Sequence, residues 1–150
     1  MTLKNVDEIL DYAIEREQEA HDFYVDLARR MDREEMKEVF LQFSQEELGH
    51  KRKLEAVKAG RTLEPSAAKV TNLKIAEYVV DVEPGEELDY QKALIVAMKK
   101  EKAAFKLYSD LSAATESAEL ATLFTALAQE EARHKLRFER EYDDVYLAEN

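Results

Sequence analysis

Cysteine and tryptophan are absent from the 150-residue chain, and glycine and proline are scarce, with three and two copies. Without cysteine there can be no disulfide and no thiolate ligand, so any metal must be bound by carboxylates and imidazoles. Few glycines and prolines leave little material for turns, whereas the abundant alanine, leucine, glutamate and lysine favour helices. The composition therefore predicts an all-α fold.

Long apolar runs are missing as well. The first residues lack the hydrophobic core of a signal peptide, and no stretch approaches the roughly 18 apolar residues of a membrane span. The formal net charge of -11 repels nucleic acids and anionic membranes, and it makes cations the natural ligands. We therefore expect a cytoplasmic protein whose partners include neither a nucleic acid nor a membrane.

Apolar residues recur at steps of three and four in four segments, and this spacing predicts four helices. Two of them form hairpin 1, about residues 5–60, and the other two form hairpin 2, about residues 89–142. The helices of each hairpin are joined by a short turn, which makes them antiparallel neighbours. Residues 61–88 contain both prolines and break the period, so we interpret them as a long crossover.

The two hairpins are copies of each other. A shift of 84 positions aligns residues 13–55 with residues 97–139 and gives fourteen identities. Two duplicated hairpins joined by a long crossover predict an antiparallel four-helix bundle of the ferritin-like kind. At this length the bundle would be a single domain, residues 1–150.

Each apolar stripe is interrupted by residues that can bind a metal ion, and these residues keep the spacing of their stripe. They are Glu17, Glu47, His50, Glu101, Glu131 and His134. Two of the helices carry a Glu followed three places later by a His, which puts both side chains on one face, about one turn apart. All six side chains are therefore expected to point into the core.

Burial of these six residues would be unfavourable without a metal. One unpaired buried carboxylate costs several kcal/mol, and four carboxylates would also repel one another. Solvated helix surfaces explain the other glutamates of the chain, but two divalent cations explain these six better, because their charge balances that of the carboxylates. Oxygen-rich ligation with one imidazole per metal suits iron or manganese, and zinc would be a redox-silent option. The residues therefore predict two divalent metal ions and leave the choice of metal open.

Four motifs carry a resemblance to a known family. They are Glu17-x-x-Ala20-x-x-x-Tyr24, Glu47-x-x-His50, Glu101-x-x-Ala104-x-x-x-Tyr108 and Glu131-x-x-His134. With them the chain resembles the rubrerythrin branch of the ferritin-like di-iron carboxylate proteins over both hairpins. The resemblance implies that Glu47 and Glu131 bridge the metals, that Glu17 and Glu101 are terminal ligands, and that each His completes one metal.

The resemblance also implies that the metals are two iron ions, with manganese or zinc possible, and that the di-iron centre undergoes a redox reaction with hydrogen peroxide or dioxygen. Rubrerythrins proper carry a further glutamate one turn beyond the third-helix ligand, where this chain has Ala104. They usually append a cysteine-ligated rubredoxin domain that delivers electrons, and this chain has no cysteine. The expected activity is therefore that of a peroxidase-like oxidoreductase that depends on a separate electron-donor protein.

Tyr24 and Tyr108 lie two turns after Glu17 and Glu101 on the same stripes. In those places a phenol can hydrogen-bond a ligand carboxylate or donate an electron, although core packing explains a tyrosine there almost as well. His21 lies one turn after Glu17, but Phe105 replaces it in the second copy, so we leave it out of the ligand set.

Two other functions stay open from the sequence. One is ferroxidase activity with iron storage, or metal buffering, without turnover of a substrate. The other is a metal-free helical interaction module. Long helices and an apolar crossover favour a homodimer, in which hairpins can be exchanged between subunits because a duplicated half can pair with either copy.

Overall fold

The computed structural model of the chain describes residues 2–3, 6–61, 73–74 and 89–147. Four long helices account for nearly all of them: α1 (Val6–Arg30), α2 (Glu34–Arg61), α3 (Tyr90–Ala114) and α4 (Ala118–Tyr142). A π-helical turn, Asp143–Leu147, follows α4 directly. Two strands of two residues each, β1 (Thr2–Leu3) and β2 (Leu73–Lys74), pair with each other. The predicted all-α class is confirmed.

The helices form two hairpins, because α1 packs along α2 and α3 packs along α4. The chain divides accordingly into two compact units, Thr2–Leu73 and Lys74–Asn150, the second together with Met1. The predicted crossover, residues 61–88, lies outside the described residues except for the end of α2 and for β2. Within the described helices, none is long and apolar enough to cross a lipid bilayer.

The start of hairpin 2 and the turn between its helices have identifiable causes in the sequence. Asp89 caps α3 by accepting a hydrogen bond from the Lys92 backbone N–H at 2.8 Å. Ser117 caps α4 in the same way through the Leu120 N–H. Such side-chain oxygens satisfy backbone donors that the first turn of a helix leaves without a partner. The caps therefore set where hairpin 2 starts and turns.

The cores of the two hairpins repeat each other in structure as they do in sequence. In hairpin 1 the ring of Tyr24 stacks on Phe40, with centroids 6.1 Å apart and an angle of 14° between the rings. In hairpin 2 Tyr108 stacks on Phe124 at 6.3 Å and the same angle. All four rings are buried. The duplication therefore preserves the packing geometry as well as the residue types.

Candidate metal centre

Each hairpin buries one pair of glutamates and one histidine near the middle of its helices. In hairpin 1, Glu17 comes from α1, while Glu47 and His50 come from α2. In hairpin 2 the equivalent residues come from α3 and α4, and they are Glu101, Glu131 and His134. None of the six residues is more than 2% exposed. The structure therefore places all six predicted ligands in the core, which the sequence predicted from stripe spacing alone.

The three side chains of hairpin 1 converge on one point. The Nδ1 atom of His50 lies 2.9 Å from Glu17 Oε2 and 3.4 Å from Glu47 Oε1. One ligand atom from each of the three residues lies within 4.8 Å of the others. We call this group the hairpin 1 cluster.

Hairpin 2 builds the same arrangement. The Nδ1 atom of His134 lies 3.4 Å from Glu101 Oε2 and 3.7 Å from Glu131 Oε1. One ligand atom from each residue again lies within 4.8 Å of the others. We call this group the hairpin 2 cluster. In both clusters the same imidazole nitrogen faces both carboxylates.

The observed separations match those of ligand atoms around a single metal ion. Nitrogen and oxygen ligands bind such metals at about 2.1 Å, so two of them are about 3.0 Å apart at a right angle and about 3.4 Å apart at the tetrahedral angle. A hydrogen bond between Nδ1 and a carboxylate explains the 2.9 Å separation of His50 and Glu17, but the other three separations are too long for good hydrogen bonds. The donor sets therefore fit a bound metal.

Charge supports the same conclusion. Each cluster holds two carboxylates and one imidazole, so its formal charge stays at -1 even when the imidazole is protonated. Buried ions lose the solvation of water, and the loss is several kcal/mol per ion in real proteins. A divalent cation in each cluster would balance the charge of its two carboxylates when the imidazole is neutral.

His21 does not join the hairpin 1 cluster. Its Nδ1 atom lies 2.8 Å from the backbone oxygen of Ser44, a position on α2 about two turns before His50. The hydroxyl of Ser44, in turn, donates to the carbonyl of Leu41 at 2.6 Å. His21 thus ties α1 to α2 through a backbone carbonyl, in agreement with its exclusion from the predicted ligand set.

One buried acid was not recognised in the sequence. Glu141 is 4% exposed, and it accepts a hydrogen bond of 2.5 Å from the hydroxyl of Tyr90. The sequence did contain a signal for its burial, because Glu141 continues the spacing of four and three residues that runs along α4 through His134 and Phe138. Its position near the end of α4, with Arg137 Nη1 at 3.9 Å, gives it a role in holding the start of α3 against α4.

Comparisons with known proteins agree with this arrangement. The family model described as rubrerythrin matches residues 8–142. A hypothetical protein from Pyrococcus furiosus has a similar structure, with a TM-score of 0.72 and 25% sequence identity, over 93% of this chain and 89% of its own. No curated protein matches the chain. The family match, together with the two helical hairpins, confirms the predicted ferritin-like fold class.

Proposed function

Because the chain belongs to the rubrerythrin family, we propose that it binds two metal ions, iron in the first place, and reduces hydrogen peroxide or dioxygen with electrons from a separate donor protein. One observation carries the proposal. Two copies of the same set, two glutamates and one histidine, are buried in equivalent places of a duplicated chain. A duplicated donor set of this kind suits a pair of equivalent ions.

The proposed ligand roles are those that the family resemblance implies. Glu17 and Glu101 would each bind one ion, and His50 and His134 would each complete one ion through Nδ1. The glutamates of the two Glu-x-x-His motifs, Glu47 and Glu131, would be shared by both ions. Two divalent ions then balance the four carboxylates.

The donor set also bears on the identity of the metal. Carboxylate oxygens with a single imidazole per ion suit iron and manganese better than softer metals, while zinc would bind without redox chemistry. Bound iron would supply the one-electron steps between the ferrous and ferric states that reduction of a peroxide requires. The overall reaction takes two electrons and two protons per hydrogen peroxide and yields two waters.

The chain itself would contribute burial and, in our proposal, two phenols. The six ligand residues are almost fully excluded from solvent, so water would not compete freely for the ions. Tyr24 and Tyr108 are 0% and 1% exposed, and each lies seven residues, about 10.5 Å of helix, beyond a ligand glutamate. Their rings stack on Phe40 and Phe124, and their hydroxyl groups are the proposed donors of a proton or an electron to the site.

The test is to load the metal-free protein anaerobically with ferrous iron and to measure how much iron is retained. Hydrogen peroxide is then added in a stopped-flow spectrometer. We expect about two irons per chain, as for the di-iron carboxylate proteins, and an oxidation much faster than that of free ferrous iron. The Glu47→Gln variant should lose this acceleration, whereas Glu55→Gln, an exposed glutamate on the same helix, should keep it.

Two results would contradict the proposal. If the protein retains no iron, the proposed iron centre does not form. Retention of two irons that peroxide oxidises no faster than free iron would favour metal buffering or storage, and sedimentation would then decide between them, since storage requires a closed shell of many subunits.

A further inference from the structure

One end of hairpin 2 holds a buried acid that is hydrogen-bonded to a phenol. Glu141 of α4 is 4% exposed, and it accepts a hydrogen bond of 2.5 Å from the hydroxyl of Tyr90 at the start of α3. This length lies in the range of charge-assisted hydrogen bonds from a hydroxyl to a carboxylate. Arg137 Nη1, on the preceding turn of α4, lies 3.9 Å from Oε1 of the same carboxylate. The phenol of Tyr90 therefore has a proton acceptor within direct reach.

The first copy of the hairpin does not carry this polar pair. After the shift of 84, Tyr90 and Glu141 correspond to Val6 and Val57, so valine stands in both positions. Burial of a carboxylate costs free energy relative to burial of an apolar side chain, even when the carboxylate is hydrogen-bonded. Stability alone therefore gives no reason for the exchange of two valines for a tyrosine and a glutamate.

Two further tyrosines extend the pair toward the surface. The ring of Tyr146, in the π-helical turn, has its centroid 6.4 Å from that of Tyr90 and 5.1 Å from that of Tyr142. We call these three residues the tyrosine cluster, and all three are partly exposed. The chain contains neither tryptophan nor cysteine, so tyrosine is its most easily oxidised side chain in one-electron steps. The cluster therefore connects a buried acid to the solvent through oxidisable rings that touch one another.

We infer that Tyr90 is a redox-active tyrosine and that Glu141 accepts its proton. Oxidation removes one electron from the phenol, breaks its O–H bond and forms an O–H bond on the carboxylate. The products are a neutral tyrosyl radical and a neutral carboxylic acid, so the step leaves no charged radical in the protein. A proton acceptor within hydrogen-bond distance is the geometric requirement for such a transfer, and the 2.5 Å contact meets it.

The role of this redox site rests on the proposed function. Glu141 lies seven residues, about 10.5 Å of helix, beyond the ligand His134, and the ring of Phe138, 0% exposed, belongs to the turn between them. When peroxide has oxidised the metal pair and no donor protein is bound, Tyr90 supplies one electron. A small one-electron reductant in solution, such as ascorbate, then returns an electron through Tyr146, and Glu141 returns the proton. The tyrosine cluster would thus remove oxidising equivalents that otherwise damage the buried ligands.

The first test uses the metal-free protein, so its result does not depend on the proposed function. Azide radicals, produced by pulse radiolysis, each take one electron from an exposed tyrosine and become azide ions. We expect the radical to settle on Tyr90, because only there does oxidation move a proton along this short hydrogen bond. Freeze-quench EPR should show a tyrosyl radical with a proton coupling that disappears in D2O, since the acid proton of Glu141 then hydrogen-bonds the radical oxygen.

Shape-matched variants assign this signal. Tyr90→Phe should abolish it, and Glu141→Gln, which keeps the shape but not the base, should slow its formation by about a hundredfold. Tyr12→Phe also removes one tyrosine, but from the other hairpin, so it is the matched control and should give the wild-type signal. Circular dichroism verifies that each variant keeps its helices, and the D2O measurement on the wild type needs no variant.

The second test adds hydrogen peroxide to the iron-loaded protein without a donor protein. The same EPR signal should appear, and Tyr146→Phe, which keeps the ring, should lengthen its lifetime in ascorbate severalfold. The inference is overturned if the metal-free protein shows no exchangeable coupling, if the signal survives in Tyr90→Phe, or if it forms in Glu141→Gln as fast as in the wild type. If iron is oxidised rapidly and no Tyr90 radical appears, the tyrosine cluster does not serve the metal centre. If peroxide does not oxidise the iron but the metal-free result is as expected, the proposed function fails and the redox pair stands.

Discussion

Replacing Glu47 by glutamine should raise the stability of the metal-free protein and remove much of the stability gained from added metal. Glu47 is 1% exposed, and it offers a ligand atom within 4.8 Å of one from Glu17. Two unit charges 4.8 Å apart repel each other by about 3.5 kcal/mol at an effective dielectric constant of about 20. Glutamine has nearly the same shape and no charge, so the substitution removes this repulsion without opening a cavity.

The net gain is smaller than the full repulsion, because Glu47 Oε1 also lies 3.4 Å from His50 Nδ1 and loses its attraction to that imidazole. We expect the free energy of unfolding of the metal-free variant to rise by about 1–3 kcal/mol. With metal the sign reverses. A ligand present at 100 times its dissociation constant stabilises the folded state by about 2.7 kcal/mol per site, or about 5 kcal/mol for two sites.

The assay is thermal and urea unfolding followed by circular dichroism, in chelator and then with manganese or zinc, which avoid oxidation. For a chain of this size 1 kcal/mol shifts Tm by about 2–4 °C, so two bound ions should raise the wild-type Tm by about 10–20 °C. The variant should gain half of this shift or less. Glu55→Gln, an exposed change on the same helix, should stay within about 0.5 kcal/mol of the wild type in both states.

The reasoning is refuted if metal-free Glu47→Gln is less stable than the wild type, since the carboxylate would then be a satisfied structural group. It is also refuted if the variant gains as much from metal as the wild type does. If the protein were a metal-free interaction module, Glu47→Gln would still raise the stability of the metal-free protein, but added metal would shift Tm in no variant. The two measurements together therefore distinguish such a module from a metal centre.

Single replacement of His50 or His134 by alanine should leave about one bound ion per chain instead of two, as counted by metal analysis of the dialysed protein; loss of both ions or of neither would contradict two separate histidine ligands. Tyr24→Phe and Tyr108→Phe should keep both ions and change stability by about 1 kcal/mol or less, yet slow peroxide-driven iron oxidation severalfold, and an unchanged rate would leave the phenols a packing role only. Burial raises the pKa of Tyr12 above the ordinary tyrosine value of 10.0, while the neighbouring Arg16 guanidinium lowers it. The raised pKa favours the neutral phenol in the folded state. The stability that Tyr12 contributes is therefore complete below its unfolded-state pKa and is lost as the pH rises through its folded-state pKa. Urea unfolding should show that the Tyr12→Phe variant loses less stability than the wild type between about pH 9 and pH 12.

Several features of the fold followed from local sequence signals. The cap at Asp89 lies where the sequence predicted the start of hairpin 2. The end of the chain was less predictable, because the π-helical turn after Tyr142 depends on contacts between that segment and α4. Tyr146, for example, packs against Tyr90 of α3 with ring centroids 6.4 Å apart, a contact that no local pattern indicates.

The sequence by itself determined which side chains face the core. Helical periodicity is a local property, and it assigned Glu47 and His50 to the buried face of α2 because they keep the spacing of Phe40, Phe43 and Leu54. The duplication assigned the equivalent residues of the second hairpin to its core without further information.

Only the tertiary structure decided which atoms meet. The axial offset between two packed helices is set by side chains along their whole contact, so the spacing within one helix does not reveal it. That offset brings Nδ1 of His50 to 2.9 Å from Glu17 and sends His21 to the Ser44 carbonyl instead. The same limit applies to Glu141, whose spacing marked it as buried but whose partner, Tyr90, comes from another helix.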